Sequence, residues 1–149
     1  MSTTNTAGVN AYRKVAVQTG VNDASPHRLI QMLLEAVLEK IAKAKGFMAN
    51  GKIADKGNNI AMAVSIIDAL RASLDMQQGG EISKNLEGLY DYMTRRLTEA
   101  NVSNNQEILD EVVALILPIK EAWDAIPDTV KAEHQQKQQM QDAQEAAAG

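Results

Sequence analysis

Cysteine is absent from this 149-residue chain. That removes disulfides, thiolate zinc sites and a cysteine nucleophile together. Aromatic residues make up only 3% of the sequence, too few to offer a stacking platform for nucleic-acid bases. A concentrated basic face is missing as well. The formal net charge is −4, and the small clusters Lys40, Lys43, Lys45 and Arg95, Arg96 are balanced by nearby acids, so nucleic acid is not an expected partner. The longest apolar run, Val112 to Leu117, is far short of the ~20 residues a membrane helix needs, and no membrane insertion is expected. The opening MSTTNTAGVN has neither the positive start nor the apolar core of a secretory signal, which points to a cytoplasmic protein.

What is present is helical. Ser25-Pro26 reads as an N-cap followed by proline at the first helical position, where its missing N–H costs nothing. Ile30, Leu33, Leu34, Val37, Leu38, Ile41 and Met48 then follow helical spacing, and Asn50-Gly51 supplies a left-handed stop. A second segment carries Ile53, Ile60, Val64, Ile67, Leu70 and Leu74 and is predicted to run to Gly79-Gly80. A third, with Glu81 in its first turn, carries Ile82, Leu86, Leu89, Tyr90, Met93 and Leu97. The fourth is predicted from Asn104, with Glu107 completing a capping box. It runs through Ile108, Leu109, Val112, Val113, Ile116, Ile119 and Trp123, with Pro118 expected to bend it. Short links force antiparallel neighbours. The predicted fold is therefore all-α, an antiparallel up-and-down four-helix bundle over 24–126. Residues 1–23 form a leader, polar at first, that carries Tyr12, Val15, Val17 and Val21. Residues 127–149 form a glutamine- and alanine-rich tail, loose or unstructured, with no function assigned.

Catalytic readings fail one by one. A di-metal bundle needs Glu-x-x-His on paired helices, but Ala24 and Lys131 stand three residues before His27 and His134. Asp23, Ser25 and His27 are neighbours in sequence, which is not the convergence a triad needs; Ser25 reads as a cap and His27 as an exposed first-turn residue. Gly79-Gly80 has no preceding strand and no following Gly-Lys-Ser/Thr, so it is a connector and not a phosphate loop. No enzyme, metal or cofactor is expected. Asp91, Arg95 and Glu99 stand four apart as a solvated ion-pair ladder. Arg96 falls with Asn85, Gly88 and Tyr92 on the flank of the core stripe. A glycine inside a helix costs ~1 kcal/mol against alanine, so Gly88 is expected to admit another backbone closely.

Apolar surface is left over. On the second segment Met62, Ile66, Ala69, Ser73 and Met76 recur at helical spacing on a face apart from the core stripe. Ile108, Leu115, Ile119 and Ile126 widen the fourth segment's apolar face beyond one packed stripe. Leftover stripes need a partner, and three are open: the leader, a second copy of the chain, or a foreign helix.

Two stretches carry a resemblance. AYRKVAVQTGVNDASPHRLIQMLLE and SLDMQQGGEISKNLEGLYDYMTRRLTEANVSNNQEILDEV resemble the entry motif and central signature of the FliS family, the flagellin-specific export chaperones of bacteria. The similarity spans about residues 10 to 126. Pro118, where the family continues an unbroken helix, and the long tail depart from it. The resemblance implies a chaperone that binds the C-terminal region of flagellin, prevents premature polymerisation and delivers it to the flagellar type III export gate. It further implies that Tyr12, Val15, Val17 and Val21 cap the client surface when no client is bound. Ala24, Ser25, Pro26 and Leu29 would form an entry corner. The client groove is then expected along Met62, Ile66, Ala69, Ser73 and Met76, with Gly88, Tyr92 and Arg96 at its lip; a homodimer in the absence of client is also open. The rival reading is a helical regulatory adaptor for a different protein, which would use the same stripes.

Overall fold

The computed structural model describes residues 25–126 and, in the tail, 140 and 143–147. Tyr12, Val15, Val17, Val21 and Ala24 lie outside the described residues, as does most of the tail. Four long helices follow one another: α1 (Pro26–Ala49), α2 (Ile53–Ala72), α3 (Gly80–Ser103) and α4 (Gln106–Asp124). Each packs on the next, and α4 returns to α1, which closes the ring. This is the up-and-down bundle, and no strand occurs among the described residues.

Local chemistry explains most of the boundaries. The Ser25 hydroxyl accepts the Arg28 N–H at 3.2 Å and starts α1; Gly51, at φ 70°, ends the turn after it. At the end of α3, Asn104 takes a left-handed conformation, φ 53°. There the Lys56 ammonium, only 3% exposed, donates to the Asn101 carbonyl at 2.8 Å and to the Asn104 side chain. A cation thus sits at the negative end of the α3 dipole.

Two boundaries differ from the sequence expectation. The cap of α4 is Asn105, whose side chain accepts the Glu107 N–H at 2.9 Å, because Asn104 is already committed to stopping α3. Helix α2 ends at Ala72 and not at Gly79-Gly80. The Ser73 hydroxyl donates back to the Leu70 carbonyl at 2.6 Å. The Asp75 carboxylate then takes the N–H groups of Gln77 and Gln78 at 3.1 and 3.0 Å, a local turn that competes with another helical turn. The Asp75 carbonyl in turn accepts Gly79 N–H and the Ser83 hydroxyl. The glycine pair has two different reasons to be glycine. A Cβ at Gly79 would fall 2.7 Å from the Asp75 carbonyl oxygen, whereas Gly80 stands at φ 51°.

The core is built from one stripe per helix: Leu33, Leu34, Val37 and Ile41; Ile60, Ala63, Ile67 and Leu70; Tyr90, Met93, Leu97 and Ala100; Leu109, Val112 and Ile116. Each large aliphatic contributes roughly 1.5–3 kcal/mol by burial. Burial also raises the Tyr90 hydroxyl to a pKa of about 12. Ile53 and Ile82, expected in these stripes, are instead exposed. His27, expected at the surface, is buried: its ring stacks on Trp123 with centroids 4.8 Å apart, and the indole N–H donates to the His27 carbonyl at 2.9 Å. The stacking buries His27, partly covers Trp123 and ties the start of α1 to the end of α4. Pro118 lies within α4, which continues to Asp124.

Candidate docking seam

The expected groove residues separate onto different flanks of the bundle. Arg71 reaches across from α2 to Glu87 at 3.4 Å and Asp91 at 3.5 Å on α3, and so marks the α3-facing flank of α2. At 100° per residue, Met62, Ile66 and Ala69 lie about 140–180° round the helix from Arg71. They are turned away from α3. Ile66 is only 5% exposed and Ala69 only 2%, so neither belongs to an exposed stripe; a helix with a neighbour on each side buries a broad arc. Met62 is exposed, Ser73 caps α2, and Met76 is exposed in the link beyond it.

Gly88, Tyr92 and Arg96 occupy the other flank of α3, facing α4. Glu111 of α4 gathers Tyr92 and Arg96. Its Oε1 accepts the Tyr92 hydroxyl at 2.8 Å and Arg96 Nε at 2.9 Å, and its Oε2 accepts Arg96 Nη2 at 3.3 Å. Arg96 also donates to Glu99 at 2.6 Å, so the expected ladder stops at Asp91–Arg95 and Glu99 serves Arg96. The Arg96 guanidinium, followed by the Tyr92 hydrogen bond, holds the Glu111 carboxyl below its ordinary value. The bond to Glu111 holds the Tyr92 hydroxyl above its own. Gly88 does not admit a backbone of the described chain: a Cβ there would meet nothing within 4 Å. It opens onto space.

This three-residue latch divides the α3–α4 seam. On its far side, toward the 104–105 link, Leu97, Ala100, Ile108, Leu109 and Val112 are all buried, which withdraws Ile108 from the surplus apolar surface. On the near side the seam is open. Ile82 continues the stripe of Leu86, Leu89 and Met93 at intervals of three and four, yet it is 73% exposed. Leu86 and Leu89 on α3, with Leu115 and Ile119 on α4 and Ile126 just beyond its end, are only partly buried. The result is an apolar trough, closed at the latch and open at the bundle end where α3 begins and α4 finishes. The entry-corner residues Ser25, Pro26 and Leu29, all partly buried, sit at this same end.

The family model for flagellar protein FliS matches residues 8–130. The chain belongs to the FliS family. It is 49% identical over 115 residues to flagellar secretion chaperone FliSB of Pseudomonas aeruginosa, covering 77% of this chain and 91% of that protein. The FliS chaperones of Vibrio cholerae and Salmonella typhimurium are each 43% identical, over 119 and 121 residues. Those alignments cover 80% of this chain in both cases, and 88% and 90% of the relatives. A FliS-family chain is thus a flagellar export chaperone of helical-bundle fold. No helix among its described residues is long and apolar enough to cross a membrane.

Sequence reasoning missed Glu111, which lies just off the apolar stripe of α4 and carries no motif. Its signal was available only in combination with Arg96, and only once α4 was known to lie beside that flank of α3. Leu86 and Leu89 were found as core positions; that they are only partly covered could not be read from their spacing.

Proposed function

We propose that this chaperone binds the C-terminal region of flagellin in the cytoplasm, keeps it from polymerising early and hands it to the flagellar type III export gate. The observation that carries the reading is the open α3–α4 seam, a trough of Ile82, Leu86, Leu89, Leu115 and Ile119 in an otherwise well-packed bundle. An amphipathic client helix laid into such a trough would complete the apolar core that α3 and α4 leave uncovered. Met62 and Met76, exposed elsewhere on the surface, are available to further client segments. Tyr12, Val15, Val17 and Val21 serve as the cover of this surface in the client-free protein, entering past Ala24, Ser25, Pro26 and Leu29. Gly88, Tyr92 and Arg96 form the lip.

Such a holder needs no nucleotide. A large apolar contact offset by the cost of ordering the client gives a complex that is held yet can be surrendered. Calorimetric titration with intact flagellin and with flagellin lacking its C-terminal region tests the reading. Binding is expected only to the intact form. Equal affinity for both would refute it and leave the adaptor reading, with a different protein as partner.

A further inference from the structure

On the reading that the α3–α4 seam receives the client, we propose that it selects a helix of about three turns whose end at the latch carries lysine or arginine, and that Glu111 is the selecting residue. The length follows from α4. The open part runs from Leu115 to the end of α4 at Asp124, roughly 14 Å at ~1.5 Å per residue, and Ile126 just beyond brings it to about three turns. The latch closes the trough there, so a docked helix ends against it and presents one terminal side chain to it.

The charge at that end is asymmetric. Glu99, Glu107 and Glu111 surround it, and Arg96 is the cation among them. Glu111 keeps capacity in reserve. A carboxylate offers about four acceptor positions, and while Oε1 is occupied by two short bonds, Oε2 holds a single one at 3.3 Å. The side chain is 37% exposed, and Gly88 across the seam leaves the approach clear. A second acceptor adds to it. Pro118 has no N–H to return to the Ala114 carbonyl one turn back, and Ala114 is exposed just beyond Glu111. Along the open rim Asn85, Pro118 and Ala122 are uncharged and Glu81 stands alone at the far mouth, so the cluster of carboxylates is confined to the closed end. A charge-assisted donor there gains both strength and direction.

The test uses the full chain and flagellin, with each lysine and arginine of the flagellin C-terminal region changed in turn to glutamine. Glu111→Gln keeps an acceptor for Tyr92, and thermal melts verify that it folds. It is expected to weaken binding roughly 3- to 10-fold, with a larger loss at low salt. One client cation should give the same loss, and no further loss when combined with Glu111→Gln. Ile82→Lys, placed in the apolar trough away from the latch, tests the seam separately. If Ile82→Lys weakens binding but Glu111→Gln does not, or if every client cation adds independently to Glu111→Gln, the seam stands and the selection by Glu111 is overturned. If Ile82→Lys binds like the unmodified chain, the seam reading fails and the proposal falls with it.

Discussion

Ile82 and Met93 lie on one stripe of one helix, three turns apart, and their fates on truncation should differ sharply. Met93 is fully buried, whereas Ile82 keeps 73% of its surface in water. Alanine at 93 removes a packed thioether chain and leaves a cavity, which costs about 2–5 kcal/mol. Alanine at 82 forfeits only the covered quarter or so of a side chain whose full burial is worth roughly 1.5–3 kcal/mol, that is ~0.5 kcal/mol. For a domain of ordinary stability, about 5–15 kcal/mol, the first change shifts the urea midpoint clearly and the second hardly at all. Trp123, the single tryptophan and stacked on His27, reports unfolding by fluorescence, with circular dichroism as a second probe. The gap between the two should narrow when client is present, because a docked helix would cover Ile82 and leave Met93 unchanged. A loss above about 1.5 kcal/mol for Ile82→Ala without client would mean that the seam is already closed, and the argument for an open trough would collapse.

On α2, Ile66→Lys and Ile67→Lys should both destabilise severely, since both side chains are buried and each change strands a charge among apolar groups; an unchanged melting temperature for Ile66→Lys would restore the exposed stripe. The latch should fail at both ends of the pH scale. Glu111 has a lowered carboxyl pKa, so its contribution is complete above the ordinary 4.5 and is lost as pH falls through the folded value. Tyr92 has a raised one, so its contribution is complete below 10.0 and is lost as pH rises through the folded value. Carbon-detected NMR titration of the two side chains measures this directly, and a Glu111 carboxyl titrating at or above 4.5 contradicts the latch geometry.

The helices were legible where side chains speak to their own backbone. Ser25-Pro26 and Asn50-Gly51 fixed both ends of α1 because cap and left-handed stop are local chemistry. The end of α2 was not legible for a reason of the same kind. Leu74 and Met76 keep the apolar rhythm going, but Asp75 offers the backbone a turn that satisfies Gln77 and Gln78 at once. Rhythm alone cannot weigh that competition. His27 and Trp123 are far apart in sequence, and nothing in either neighbourhood announces that the two rings meet.

Periodicity reports the direction in which a side chain points, whereas burial depends on what stands opposite. Ile66 points off the main stripe of α2, and a wheel with one core-facing arc leaves it outside; in a ring of four each helix has two neighbours, and the buried arc widens until Ile66 is inside it. Ile82 points straight along the stripe of α3, and the same wheel puts it inside; it is exposed because the trough is open where α3 begins. The two errors have opposite sign and one cause. They also separate what the wheel placed together: Ile66, about 140° round α2 from Arg71, and Tyr92, about 100–140° round α3 from Asp91 and Glu87, fall on opposite flanks of the bundle. The surface left for a client is therefore the one that the core stripes of α3 and α4 fail to close, bounded by Tyr92, Arg96 and Glu111.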